Sequence, residues 1–304
     1  MFPETTRRNF LAVAGGLAAG CALGEEAKPS AARLKAPHRV WFQPRLFHRD
    51  MSLYAGMTMD ASGWLDPKLA ALAGKAALRW MYGTNYPDAV GPDYWRKEIA
   101  DPTHLPGVAL DEWVPSKNPA IEGWVAEGLR QGRKAAPDQF IAVWVTDPIE
   151  TLAKLVKDGT VDLVIAETYT HAAAHYGPDS FLHWDTALRR MDAAQALGMG
   201  DKTIFCFGHI TPLPDAKGRK LDMVLLAERA HQIKECYPKA PGIAFYQDDS
   251  TDDSGDFRNM IRKCDELSTK LWPNTPKSVI KEGPRASENQ TSAVSNQCGR
   301  LVLK

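Results

Sequence analysis

Short apolar runs that turn polar toward their finish recur along the chain. They are Leu78 to Asn85 (LRWMYGTN), Gly107 to Trp113 (GVALDEW), Phe140 to Asp147 (FIAVWVTD), Val161 to His171 (VDLVIAETYTH), Thr203 to Ile210 (TIFCFGHI) and Gly242 to Asp249 (GIAFYQDD). Runs of this length bounded by polar residues read as buried strands. Between them lie stretches with helical apolar spacing: Lys68 to Ala77 after Asp66-Pro67, Asp93 to Ala100, Pro119 to Lys134, Pro148 to Lys157, Asp179 to Leu197, Lys220 to Cys236 and Asp256 to Leu271. A proline at a helix start and Gly198 and Gly200 after the longest stretch mark boundaries. Arg39 to Gln43 and Tyr54 to Thr58 supply two further strand candidates, enough for eight. The alternation predicts a single α/β domain, a (β/α)8 TIM barrel, and polar groups gathered at one end of parallel strands are how such a barrel builds a site.

Length agrees with this reading, because 304 residues hold one barrel of about 250 with a leader and a tail. The first 24 residues form the leader. Thr6-Arg7-Arg8-Asn9-Phe10-Leu11, followed by the small-residue apolar segment Phe10 to Leu23, resembles a twin-arginine export signal. Leu17-Ala18-Ala19-Gly20-Cys21 resembles a lipoprotein processing box, with Ala18 where a larger aliphatic residue is usual. Two maturation outcomes therefore stand open, a lipid anchor on Cys21 or cleavage a few residues later. Either way the expected location is outside the bacterial cytoplasm, periplasmic or membrane-anchored. Residues 25–37 read as a linker, 38–272 as the barrel, and 273–304, rich in Ser, Asn, Lys and Pro, as a poorly ordered tail.

Charge narrows the partners. Lys+Arg and Asp+Glu are both 37, so net charge gives no reason to expect nucleic acid or an anionic membrane surface. The chain carries no P-loop or GxGxxG motif, and no cofactor is expected. Of the cysteines beyond Cys21, Cys206 reads as a small core residue, while Cys236 and Cys264 on successive outer helices are candidates to pair.

The chemistry is carried by carboxylates at strand ends. By strand alternation Val108 and Leu110 face the helices, and Ala109 and Asp111 face the barrel axis. Glu112 then points outward unless the backbone turns there. Glu167, directly after Leu163, Val164, Ile165 and Ala166, is a desolvated carboxylate suited to a general acid. In GIAFYQDD, Ala244, Tyr246 and Asp248 share one face, with Gln247 and Asp249 on the other. Acids ringed by Tyr82, Trp113, Trp144, Tyr169 and Tyr246, with His171, His209 and Gln247 as further binding candidates, suit hydrolysis of a glycosidic bond: one carboxyl protonates the leaving oxygen, another is nucleophile or base, and aromatic faces bind sugar.

On these residues the chain resembles glycoside-hydrolase-like (β/α)8 proteins from about Arg39 to Trp272, at the level of pattern. It departs from the chitinase-type DxxDxDxE motif, because Ala109 and Trp113 stand where acids would. The resemblance implies a carbohydrate substrate and assigns no individual role; Glu167, Asp111, Glu112 and Asp248 are catalytic candidates by their own strand-end positions. Two rivals remain. His171, His175, His183, His209, Asp248 and Glu167 offer ligands for a metal-dependent hydrolase or sugar isomerase, and the same fold serves carbohydrate-binding proteins without turnover.

Overall fold

The computed structural model describes residues 34–84, 93–104, 106–114, 119–146, 148–169, 183–214, 218, 220–247 and 253–274. The described residues form a (β/α)8 barrel. Its parallel strands are β1 (His38–Phe42), β2 (Met59–Asp60), β3 (Ala76–Ala77), β4 (Arg79–Met81), β5 (Gly107–Trp113), β6 (Phe140–Val145), β7 (Leu163–Tyr169), β8 (Thr203–Ile210) and β9 (Gly242–Gln247). Their spatial order is β3-β2-β1-β9-β8-β7-β6-β5-β4. The two ends of that order, β3 and β4, are separated in the chain by Leu78 alone, so Ala76 to Met81 act as one broken strand and bring the edges together.

Among the described residues, eight α-helices connect or follow the strands: α1 (Pro67–Leu72), α2 (Tyr94–Ala100), α3 (Pro119–Ala135), α4 (Ala153–Lys157), α5 (Trp184–Ala187), α6 (Arg189–Ala196), α7 (Met223–Cys236) and α8 (Gly255–Leu271). Local chemistry sets their starts. The Asp66 side chain accepts from Leu69 N and is followed by Pro67, Asp222 accepts from Val224 N and Leu225 N, and Ser254 accepts from Phe257 N. In α8, Phe257, Met260, Ile261, Cys264 and Ser268 recur on one buried face.

Two apolar layers follow from strand alternation. Val108, Leu110, Val143, Val164, Phe205, Phe207, Ile243 and Phe245 belong to the outer core under the helices. Val40, Phe42, Ala109, Ala142, Trp144, Ile165, Cys206 and Ala244 fill the interior. Ala109, Ala142 and Ala244 are small, which leaves room for Trp144. Its Nε1 donates to Ala61 O at 3.2 Å, and its ring meets Phe42 on β1 edge-on at 5.0 Å.

Several boundaries differ from the sequence reading. Tyr54 to Thr58 is not a strand: Met51–Tyr54 is a 3-10 turn, Leu53 and Tyr54 pack into the outer core, and β2 begins at Met59. The stretch Lys68 to Ala77 is helical only to Leu72, because Ala76 and Ala77 pair with Met59 and Asp60. Pro148 to Lys157 opens as a 3-10 turn before α4. Cys236 and Cys264 do not pair, since Cys264 is a buried free thiol. The leader, Cys21, the linker up to residue 33 and the tail from 275 onward lie outside the described residues.

Candidate active site

Two strands carry an extra residue at the carboxyl end of the barrel. Along β5 the register runs from Leu110 opposite Val143 to Trp113 opposite Val145, three steps against two. Along β8 it runs from Phe207 opposite Phe245 to Ile210 opposite Gln247, again three against two. Each irregularity contains a non-glycine residue in the left-handed region, Glu112 at φ 51° and His209 at φ 54°. A third, Gln43 at φ 56°, directly follows β1. Such conformations are costly for side chains with a Cβ and cluster where a strand end must re-aim a functional group.

The bulge on β5 settles the question left by strict alternation. Ala109 lies in the interior and Leu110 in the outer core as the pattern requires. With that extra residue, Asp111 and Glu112 are both half-buried and both act electrostatically on Glu167, while Trp113 rejoins the outer core. Gly83 and Thr84, which follow β4, brace this geometry. A Cβ on Gly83 would stand 1.6 Å from Asp111 O, so only glycine allows that approach. Thr84 is fully buried, and its hydroxyl accepts from Val114 N at 2.6 Å and donates to Glu112 O at 3.4 Å.

Glu167 occupies the interior side of β7, opposite Cys206 in register. Only 6% of its surface is exposed. Burial is the first cause pushing its pKa from the ordinary carboxylate range up to about 8, and the negative charges of Asp111 and Glu112 push the same way. Arg190 of α6 opposes them in part, its Nη1 donating to Glu167 O at 3.0 Å and its Nη2 to Thr146 O. Acids more than 50 residues apart in the chain therefore meet in one field. At neutral pH Glu167 holds its proton and can deliver it to a bound oxygen.

Aromatic rings gather at the carboxyl ends of the strands. The Tyr246 ring lies 4.8 Å from Phe42 and 4.9 Å from His209, and all three stand above the Trp144 layer at the strand ends. Tyr82, just beyond β4, packs against Trp80 at 4.7 Å and Tyr94 at 5.6 Å. Tyr169 ends β7.

Other residues singled out by the sequence stand elsewhere. Trp113 is fully buried in the outer core, its Nε1 donating to Thr151 Oγ1 at 2.7 Å, because the extra residue reverses its side of the sheet. Gln247 is also sealed on the outer side, where its Oε1 accepts from Tyr54 Oη at 2.6 Å and Arg45 N at 3.2 Å. Neither reaches the mouth. His183 is exposed at the start of α5. Asp248, Asp249, His171 and His175 lie outside the described residues, and among the described residues no group of three or more His, Cys, Asp or Glu is arranged to hold a metal ion.

Sequence reasoning passed over Thr84, Arg190 and Asp60. Asp60 closes β2, is fully buried with a pKa raised by burial to about 6, and accepts from Ser62 N at 3.0 Å and Leu65 N at 2.9 Å. Its signal was local, an acid two residues before a serine in a turn. Thr84 and Arg190 act through distant backbone atoms and leave no such signal.

No family model matches the sequence, and no curated protein matches it. Solved structures share the fold. An endo-beta-N-acetylglucosaminidase from Cordyceps militaris superposes over 77% of this chain and 91% of its own, with TM-score 0.50 and 12% identity. The glycoside hydrolase domain of PelA from Pseudomonas aeruginosa covers 68% of this chain and 93% of its own, with TM-score 0.44 and 15% identity. A sugar phosphate isomerase/epimerase from Parabacteroides distasonis covers 80% and 99%, with TM-score 0.44 and 11% identity. At these identities the likeness is one of fold.

Proposed function

We propose that the protein is an exported glycoside hydrolase in which Glu167 is the general acid and Asp111 or Glu112 is the nucleophile or base. The observation that carries this reading is one buried carboxyl, Glu167, in the field of two others at the carboxyl end of a parallel barrel, which raises its pKa. Because this fold hosts many chemistries, the reading stands on the acids rather than on the likeness. Glu167 gives its proton to the glycosidic oxygen as the bond to the anomeric carbon breaks, and an ionised partner either adds to that carbon or takes a proton from the attacking water. Tyr246, His209 and Tyr82 offer faces and polar edges to the sugar rings, and the reaction requires no cofactor. Export by the twin-arginine route, with or without a lipid on Cys21, places the enzyme where extracellular glycan is encountered.

The test is release of reducing ends from a panel of purified glycans by the wild-type protein and by Glu167→Gln, which keeps the shape and removes the proton. Loss of product in the variant supports the reading, and an unchanged rate overturns it. Among Asp111→Asn and Glu112→Gln, the variant whose activity returns with azide identifies the nucleophile, since a small anion can replace a missing carboxylate there.

A further inference from the structure

The backbone that carries Glu167 is supported differently on its two sides. Toward β8 the strand pairing runs on through Glu167 with Cys206, Thr168 with Phe207 and Tyr169 with Gly208. Toward β6 the last pair is Val145 with Ala166, and β6 ends there. The next residue on each side, Thr146 and Glu167, is joined through a side chain instead. Arg190 donates from Nη1 to Glu167 O at 3.0 Å and from Nη2 to Thr146 O. A planar guanidinium holds its donors at fixed spacing, which suits it to bridge two carbonyls where a ladder stops. Its helix is anchored in turn: Met191 and Ala194 of α6 are buried, and Asp192 Oδ1 accepts from Tyr237 Oη at 2.6 Å.

The same guanidinium acts on the acid by its charge. Among the described residues, Asp111 and Glu112 of β5 raise the proton affinity of Glu167 and Arg190 of α6 lowers it, while the Cys206 thiol of β8 is kept neutral by burial. A general acid must both hold its proton at working pH and give it up in the reaction. Burial and two like charges all act to retain that proton, so the opposing charge of Arg190 favours its release. We propose that Arg190 is a positioning residue for the acid, its fork fixing the Glu167 backbone beyond the last pair of the β6–β7 ladder and its charge offsetting those of Asp111 and Glu112. This rests on the glycosidase reading for the reaction it serves.

The experiment compares Arg190→Gln and Arg190→Lys with the wild-type full chain. The Glu167 carboxyl is titrated by carbon NMR without substrate, its resonance assigned by its loss in Glu167→Gln, and kcat and KM are followed across pH on a glycan that the wild type cleaves. In Arg190→Gln, Glu167 should titrate at higher pH, the alkaline limb of the rate profile should move up with it, and kcat should fall about tenfold to a hundredfold with KM little changed. Arg190→Lys keeps the charge and loses the fork, so its titration should stay nearer the wild type while kcat still falls. A Glu167 titration unmoved by Arg190→Gln, or a loss confined to KM, overturns the role. Should circular dichroism show Arg190→Gln unfolded, Arg190→Lys decides alone, and a kcat equal to wild type overturns it. Because the titration needs no turnover, it judges Arg190 separately from the assay that judges Glu167 as the acid.

Discussion

The two ends of the barrel treat buried charge in opposite ways. At the floor, where the strands begin, buried carboxylates sit beside charges of opposite sign. Asp162, just before β7, pairs with Arg133 of α3 and also accepts from Ile141 N at 2.9 Å, while Arg133 donates to the carbonyls of Thr160, Pro137 and Gln139. Arg39 donates to Gly56 O and to Trp272 O, and the nearby Asp265 accepts from Gly56 N at 2.7 Å. His38 is kept neutral, its pKa lowered to about 4 by burial and by Lys202. At the mouth, Glu167 instead meets two carboxylates, and the backbone holds strained residues at Gln43, Glu112 and His209. The floor places opposite charges together, whereas the mouth gathers like charges and left-handed backbone, an arrangement that costs stability.

That contrast is open to attack, most forcefully at Glu167. Glu167→Gln should lower glycan hydrolysis by about 10²–10⁴-fold, the usual contribution of a general acid, while circular dichroism shows an intact fold. In the wild-type protein, glycan hydrolysis should fall as pH rises through about 8, where Glu167 loses its proton. Stability should follow the same window. A carboxyl whose folded pKa is raised favours the fold most at low pH and loses that contribution as pH climbs through about 8, so Glu167→Gln should melt about 3–8 °C higher than wild type at pH 9. A floor substitution should do the reverse. Asp162→Ala strands a buried guanidinium and should cost about 3–5 kcal/mol in urea unfolding, with the pH dependence of the surviving activity unchanged.

Smaller effects sharpen the picture. Asp111→Asn removes one of the like charges acting on Glu167, so the alkaline limb of the pH–rate profile should move to lower pH. Glu112→Gly should be about 1 kcal/mol more stable than Glu112→Ala in paired denaturant melts, because only the former relaxes the left-handed backbone. Equal stability of the two would remove strain from the description of the mouth.

Much of this architecture was legible in the residue pattern. The split of Val108 and Leu110 from Ala109 came directly from alternation, and the desolvation of Glu167 followed from the four apolar residues before it. The bulges were not legible. A glutamate or histidine in the left-handed region carries no sequence mark of the kind glycine leaves, so parity was carried one residue too far and Trp113 was assigned to the wrong side. Gln247 is held outward by Tyr54, nearly two hundred residues earlier, a partner no local pattern reveals. The strand β2 was hidden by its brevity beside the more apolar Tyr54 to Thr58.

That brevity also has a mechanical consequence. The ring of strands is joined at β2 through just two register pairs on each side, Val40 with Met59 and Trp41 with Asp60, then Met59 with Ala76 and Asp60 with Ala77. Amide exchange should be fastest along this narrow seam, while the stretch from β5 to β8 keeps its spacing. Flexibility and fidelity would then occupy different arcs of one hoop.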